Sequence, residues 1–142
     1  MATQEWICNS PNELSHIAQD LLANFPQNRV FVFEGEMGAG KTTFISALVR
    51  ALGSTDTTAS PTYGLVNEYH DATGNPIYHF DFYRLKSTEE AFESGADELL
   101  HSGFYCFAEW PSRVPGLFPD AYVQVNITVL AEQRILRALL HA

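Results

Sequence analysis

The octapeptide Gly35-Glu36-Met37-Gly38-Ala39-Gly40-Lys41-Thr42 constrains the fold of this chain more than any other feature. It fits the GxxxxGK[ST] pattern, and its flanks carry the periodicities that pattern needs. Before it stands Val30-Phe31-Val32-Phe33, an apolar, β-favouring run that reads as a buried strand. After it, Phe44, Ile45, Leu48, Val49 and Leu52 recur at helical spacing, and Gly53 closes that helix. Glycines let the backbone curl so that successive N–H groups face phosphate oxygens. The following helix adds its positive N-terminus. The segment Gly35, Glu36, Met37, Gly38, Ala39, Gly40, Lys41, Thr42 and Thr43 is therefore the candidate phosphate cradle. Lys41 would neutralise β- and γ-phosphates, and Thr42 would offer its hydroxyl to Mg²⁺. A glycine-rich turn without a ligand is the bland alternative, and a single loop names neither the nucleotide nor hydrolysis.

The rest of the chain narrows the class. Its 142 residues fit one domain, 1–142, with a sizeable core. Asp and Glu total 17 against 8 Lys and Arg, which argues against a broad basic surface and so against direct DNA binding. A locally positive pocket stays compatible with that balance. No apolar run approaches the ~20 residues of a membrane span, and residues 1–30 lack a charged start followed by an apolar signal core. Cys8 and Cys106 stand far apart with no CxxC; one disulfide is the alternative, and without an export signal two small buried or half-buried thiols are the better reading. The expected compartment is the cytoplasm.

Elements follow from pattern. Residues 4–8 form a short strand candidate. Asn9-Ser10-Pro11 starts a helix that buries Leu14, Ile17, Ala18, Leu21 and Leu22 and ends at Phe25-Pro26. The small, hydroxyl-rich stretch 54–62 is a loop. Segments 65–70 and 77–83 flank a turn too short for a parallel crossover, which predicts an antiparallel hairpin. Residues 88–101 are acidic and helical by pattern, with 104–108 a further strand. Val123, Val125, Ile127 and Val129 alternate as in a strand. The tail 133–141 fits a helix through Ile135, Leu136, Leu139 and Leu140, or a hairpin partner strand. The expected fold is α/β: a single P-loop NTPase-like three-layer domain with a mixed parallel and antiparallel sheet.

A phosphate loop of this kind works with a carboxylate near the metal at a strand end. Asp81, in an aromatic-rich strand, is one candidate, and a water-facing edge Asp is its alternative. Glu109, after Phe104–Ala108, is the other: it would bind Mg²⁺ directly, act through water, or orient the attacking water, unless it is a capping or surface Glu. Ser60 and Thr62 carry hydroxyls that could sense a γ-phosphate, as switch loops do, or make a plain turn. His79 and Tyr83 flank Asp81 at i−2 and i+2, on one strand face. They form either a polar cluster or, for His79, a satisfied core histidine. Trp110 follows Glu109. The base pocket has only positional candidates, near Cys8–Ser10 and around Arg113 or Gln133. The run Glu89, Glu90, Glu93, Asp97, Glu98 reads as a solvated helix face, with a docking surface for a basic partner as the alternative.

Four segments, Gly35–Thr43, Ser60-Pro61-Thr62-Tyr63, His79-x-Asp81-x-Tyr83-Arg84-Leu85 and Glu109-Trp110-Pro111, resemble in order and spacing the TsaE family. The family is that of the bacterial ATPase of tRNA threonylcarbamoyladenosine biosynthesis. The resemblance implies Mg²⁺-dependent binding of ATP and its hydrolysis to ADP. It also implies action with TsaB and TsaD to support their turnover, with tRNA reached only through that complex. By motif match, Lys41 and Thr42 take the phosphate and metal roles and Asp81 that of the Walker B-like acid. Glu109 matches the second acid, Trp110 the neighbouring aromatic, and Ser60–Thr62 the switch-like loop. Gly95–Glu98 matches the family's pattern loosely.

Two other classes use the same loop. A small-molecule kinase would add an acceptor pocket and an Arg-bearing lid, yet the six arginines are dispersed. An ATP-sensing scaffold would bind without needing Glu109 for turnover. A GTP switch fits less, since no NKxD occurs. With no self-evident arginine finger, hydrolysis by the isolated chain should be slow and partner-dependent.

Overall fold

Val30–Glu34 (β2) and Lys41–Ala51 (α2) flank the glycine-rich loop 35–40, and the remaining elements are arranged around that pair. The computed structural model describes residues 3–61 and 65–141. In chain order the other elements are β1 (Gln4–Cys8), α1 (Leu14–Asn24), β3 (Val66–His70), β4 (Pro76–Asp81) and α3 (Thr88–Glu93). They continue with α4 (Ala96–Leu100), β5 (Tyr105–Glu109), β6 (Tyr122–Leu130) and β7 (Gln133–His141).

One seven-stranded sheet runs in the order β1-β7-β6-β2-β5-β4-β3. β2 lies parallel to both β5 and β6, and β4 lies parallel to β5. The β3–β4, β6–β7 and β1–β7 pairs are antiparallel. The sheet is therefore mixed, with the parallel part around the loop. β2 is buried along its length because both of its faces are covered. Phe31 and Phe33 point into a core made with α1 and α2, through Leu21, Phe44 and Leu48. Val30 and Val32 point into a second core on the opposite face, with Phe80, Phe82, Leu100 and Leu117. Cys8 belongs to the first core and Cys106 to the second, and both are free thiols. No helix among the described residues is long and apolar enough to cross a membrane.

One open reading resolves and two elements differ from the pattern. The tail is a strand, not a helix: Leu136 and Ala138 are buried in alternation, and β7 pairs with β6 from Leu130↔Gln133 onward. The acidic stretch 88–101 is two short helices, split where Gly95 takes a left-handed φ of 84°. Ser10-Pro11 opens a 3-10 turn over Pro11–Glu13 before α1 begins at Leu14.

Candidate active site

Parallel strands carry side chains from different parts of the chain to one edge of the sheet, and here that edge carries the glycine-rich loop 35–40. Gly35 leaves β2 so close to β6 that a Cβ would stand 2.8 Å from the carbonyl oxygen of Ile127, so only glycine fits. Gly40, at φ 102°, turns the chain into α2. Arg134, on β7, donates from Nε to the carbonyl of Ala39 at 3.1 Å and so ties the loop to the C-terminal hairpin.

Lys41 opens α2 and is only 5% exposed. Its Nζ donates to the carbonyl of Gly35 at 2.6 Å and lies 3.6 Å from the centroid of the Trp110 ring. Burial pushes the Lys41 ammonium below its usual range, while Glu109, Glu34 and Asp81 pull it back up. Trp110 reaches this position from a left-handed backbone, φ 59°, which is costly for a bulky residue. Tyr83 packs on Trp110 with ring centroids 4.9 Å apart, and the Arg113 guanidinium lies 5.1 Å from the Tyr83 ring.

Glu109, the last residue of β5, is 4% exposed. Its Oε2 accepts the Thr42 hydroxyl at 2.9 Å and meets His79 Nε2 at 2.8 Å. A carboxylate only accepts, so Nε2 carries a proton in this contact. Thr42 has a single hydroxyl hydrogen, already given to Glu109, so in the 2.9 Å contact with Ser60 the serine donates. Asp81 lies opposite Glu109 in the β4–β5 register, and its Oδ1 accepts the backbone N–H of Tyr83 at 3.0 Å. Behind the carboxylate, His79 is fully buried and its Nδ1 stands 3.2 Å from the Tyr69 hydroxyl. That hydroxyl donates to the carbonyl of Ala59 at 2.8 Å and accepts the Ala59 N–H at 3.1 Å.

The family described as threonylcarbamoyl adenosine biosynthesis protein TsaE matches residues 8–136. The chain belongs to the TsaE family. It is 36% identical over 118 residues to the tRNA threonylcarbamoyladenosine biosynthesis protein TsaE of Haemophilus influenzae, covering 82% of this chain and 74% of that one. It is 34% identical over 127 residues to the protein of the same name from Bacillus subtilis, covering 89% and 78%. The crystal structure of Bacillus subtilis YdiB superposes with a TM-score of 0.77 at 28% identity, over 99% of this chain and 87% of that one.

In this TsaE-family chain, Met37, Thr43, Lys41, Thr42, Ser60, Asp81, Tyr83, Glu109 and Trp110 all border one open cleft of 620 Å³. His79 stands behind Glu109 rather than in that cleft. It is thus both a core histidine and a partner of the site. Tyr83 follows the end of β4, so the strand face expected to hold His79, Asp81 and Tyr83 stops at Asp81. Thr62 lies outside the described residues. A separate 280 Å³ hollow on the other side of the loop is bordered by Cys8, Ser10, Ala39, Thr43 and Arg134. Cys8–Ser10 are therefore beside the loop, whereas Arg113 lies with the aromatic pair and Gln133 bonds Asn9 at 2.6 Å. Tyr69, Ala59 and Arg134 escaped the sequence reading: none sits in a motif, and their positions depend on long-range pairing.

Proposed function

We propose that this chain binds and hydrolyses Mg·ATP and acts with TsaB and TsaD in threonylcarbamoyladenosine modification of tRNA in the cytoplasm. The observation that carries this reading is the Thr42–Glu109 hydrogen bond at the loop's mouth. A hydroxyl and one or two carboxylates are the donors that Mg²⁺ takes together with substrate phosphates. Thr42 and Glu109 would hold the ion directly, with Asp81 at its outer side, and the ion would supply positive charge to the β- and γ-phosphates. Both contacts to Glu109 fall on Oε2, which keeps Oε1 for the ion.

Lys41 is half-prepared for its role. It rests on the Gly35 carbonyl and the Trp110 face, two weaker partners than a phosphate oxygen. Moving onto the γ-phosphate exchanges these for a charge-assisted bond and offsets the desolvation of its ammonium. The loop N–H groups and the start of α2 hold the remaining phosphate oxygens. The hollow beside Cys8–Ser10 takes the base. The acidic side chains near the γ-phosphate position orient a water, and positioning with charge stabilisation does the rest. Turnover is slow in the isolated chain, and the TsaB–TsaD complex raises it.

Phosphate release from Mg·ATP, measured without and with TsaB–TsaD and with no kinase acceptor, tests this. Stimulation by the complex is the expected result. Hydrolysis indifferent to the complex would remove the partner dependence. ATP binding without hydrolysis in either case would favour a kinase or a nucleotide-sensing scaffold.

A further inference from the structure

The polar contacts behind Glu109 form a ring in which the Tyr69 hydrogen serves either Ala59 or His79. Ser60 reaches Glu109 Oε2 through the Thr42 hydroxyl, in two bonds of 2.9 Å. The neighbouring Ala59 reaches the same oxygen by another route, through Tyr69 and then the buried His79, with contacts of 2.8, 3.2 and 2.8 Å. Two adjacent residues of one segment are thus tied to one carboxylate oxygen, from opposite sides. A histidine used only to fill the core would need one partner for each nitrogen. Here both partners lead to functional ground: one to the carboxylate at the loop's mouth, the other to the Ala59–Ser60 backbone.

The Tyr69 hydroxyl has one hydrogen and two neighbours able to take it: the Ala59 carbonyl and, with Nε2 protonated toward Glu109, His79 Nδ1. When Ala59 is docked the hydrogen serves the carbonyl. When Ala59 moves away the hydrogen turns to Nδ1, and an imidazole that accepts there donates more strongly from Nε2 to Glu109. We propose that Tyr69 and His79 are positioning residues that couple the place of the Ala59–Ser60 segment to the orientation of the Glu109 carboxylate. The proposal rests on the reading of Glu109 and Thr42 as the metal-side groups, and neither Tyr69 nor His79 borders the cleft itself. A partner that shifts Ala59–Ser60 thereby changes Glu109 without reaching it.

Hydrogen exchange of the Ala59 amide in the full chain, without nucleotide, reads this coupling independently of turnover. His79→Gln keeps a donor toward Glu109 and breaks the link to Tyr69, whereas His79→Asn keeps the Tyr69 side and breaks the link to Glu109. Measuring both keeps the test alive if one fails to fold. His79→Gln should slow Ala59 exchange about tenfold because it removes the second acceptor of the Tyr69 hydrogen, His79→Asn should leave it within about twofold, and Tyr69→Phe should speed it about tenfold. Combining Tyr69→Phe with His79→Gln should add nothing, as members of one chain do not add. In phosphate release, each variant should lose about tenfold in kcat while Mg·ADP affinity stays within about twofold. Native-like Ala59 exchange in the folded His79→Gln chain, or a His79→Gln effect that persists on top of Tyr69→Phe, would overturn the proposal. Absence of hydrolysis by the wild-type chain would overturn the functional reading instead, and leave the exchange result to decide the coupling.

Discussion

Lys41 and Glu109 show how single residues divide the work of this site. Both are almost fully buried, and Glu109 leads the carboxylates that offset the loss of water around the Lys41 ammonium. Lys41→Ala removes the cation from the cradle and should abolish measurable Mg·ATP binding by titration calorimetry. Glu109→Ala should retain much of the binding and lose at least about a hundredfold in phosphate release, as expected when a group acts mainly in the transition state. Unchanged hydrolysis in that variant would remove Glu109 from the site. Glu34 gives a pH signature. Burial raises its carboxyl above the ordinary range, with Lys41 and the Ser112 backbone N–H pulling it back only partly. The folded chain therefore holds this proton more tightly than the unfolded chain does. The stability it contributes is full below the ordinary carboxylate range and is lost as pH rises through the folded value. Glu34→Gln should then gain in Tm relative to the wild type between pH 4 and pH 7 in thermal scans. A gap independent of pH would contradict the assignment.

At the scale of elements, legibility tracked how local the cause was. The strand–loop–helix unit was readable because its glycines, its apolar strand and the spacing of Phe44, Ile45, Leu48 and Val49 all act within 20 residues or so. The β3–β4 hairpin was readable from its turn. The tail was ambiguous because Ile135, Leu136, Leu139 and Leu140 satisfy a helical spacing, while the alternation of Leu136, Ala138 and Leu140 is diluted by apolar residues on the outer face. The tight connection also lacks an Asn-Gly signal, with Ala131 itself at φ 56°. Tertiary pairing with β6 and β1 decides the matter. A helix would place Leu136 and Leu139 on one face, whereas the strand buries Leu136 (1% exposed) and leaves Leu139 at 41%. Leu136→Ala should therefore cost about 2–5 kcal/mol in urea unfolding and Leu139→Ala under about 0.5 kcal/mol. Similar losses for both would contradict the strand.

For the whole molecule, the sheet separates two cores and brings one edge of four parallel strands together. The separation fixes the fate of the thiols. Cys8 and Cys106 lie in different layers, and burial pushes the Cys106 thiol up to about 12. In the folded chain at pH 8 an alkylating reagent should leave Cys106 unmodified until the chain unfolds, and mass spectrometry of digested protein reads that directly. Rapid labelling under native conditions would mean that the second core opens locally. The convergence creates the site. β2 ends in the glycine-rich loop and β5, its parallel neighbour, ends in Glu109, while Asp81 ends β4 one strand further out. The motifs named both acids, but only strand order ranks them, because nothing in the local sequence around Asp81 or Glu109 says which strand lies beside β2. The account therefore makes Glu109 the acid that meets the loop. The most direct measurement is Mn²⁺ affinity at saturating ADP, by electron paramagnetic resonance, for the wild type, Glu109→Gln and Asp81→Asn. Glu109→Gln should weaken Mn²⁺ binding by about tenfold or more, and more than Asp81→Asn does. Wild-type Mn²⁺ affinity in Glu109→Gln would contradict the account.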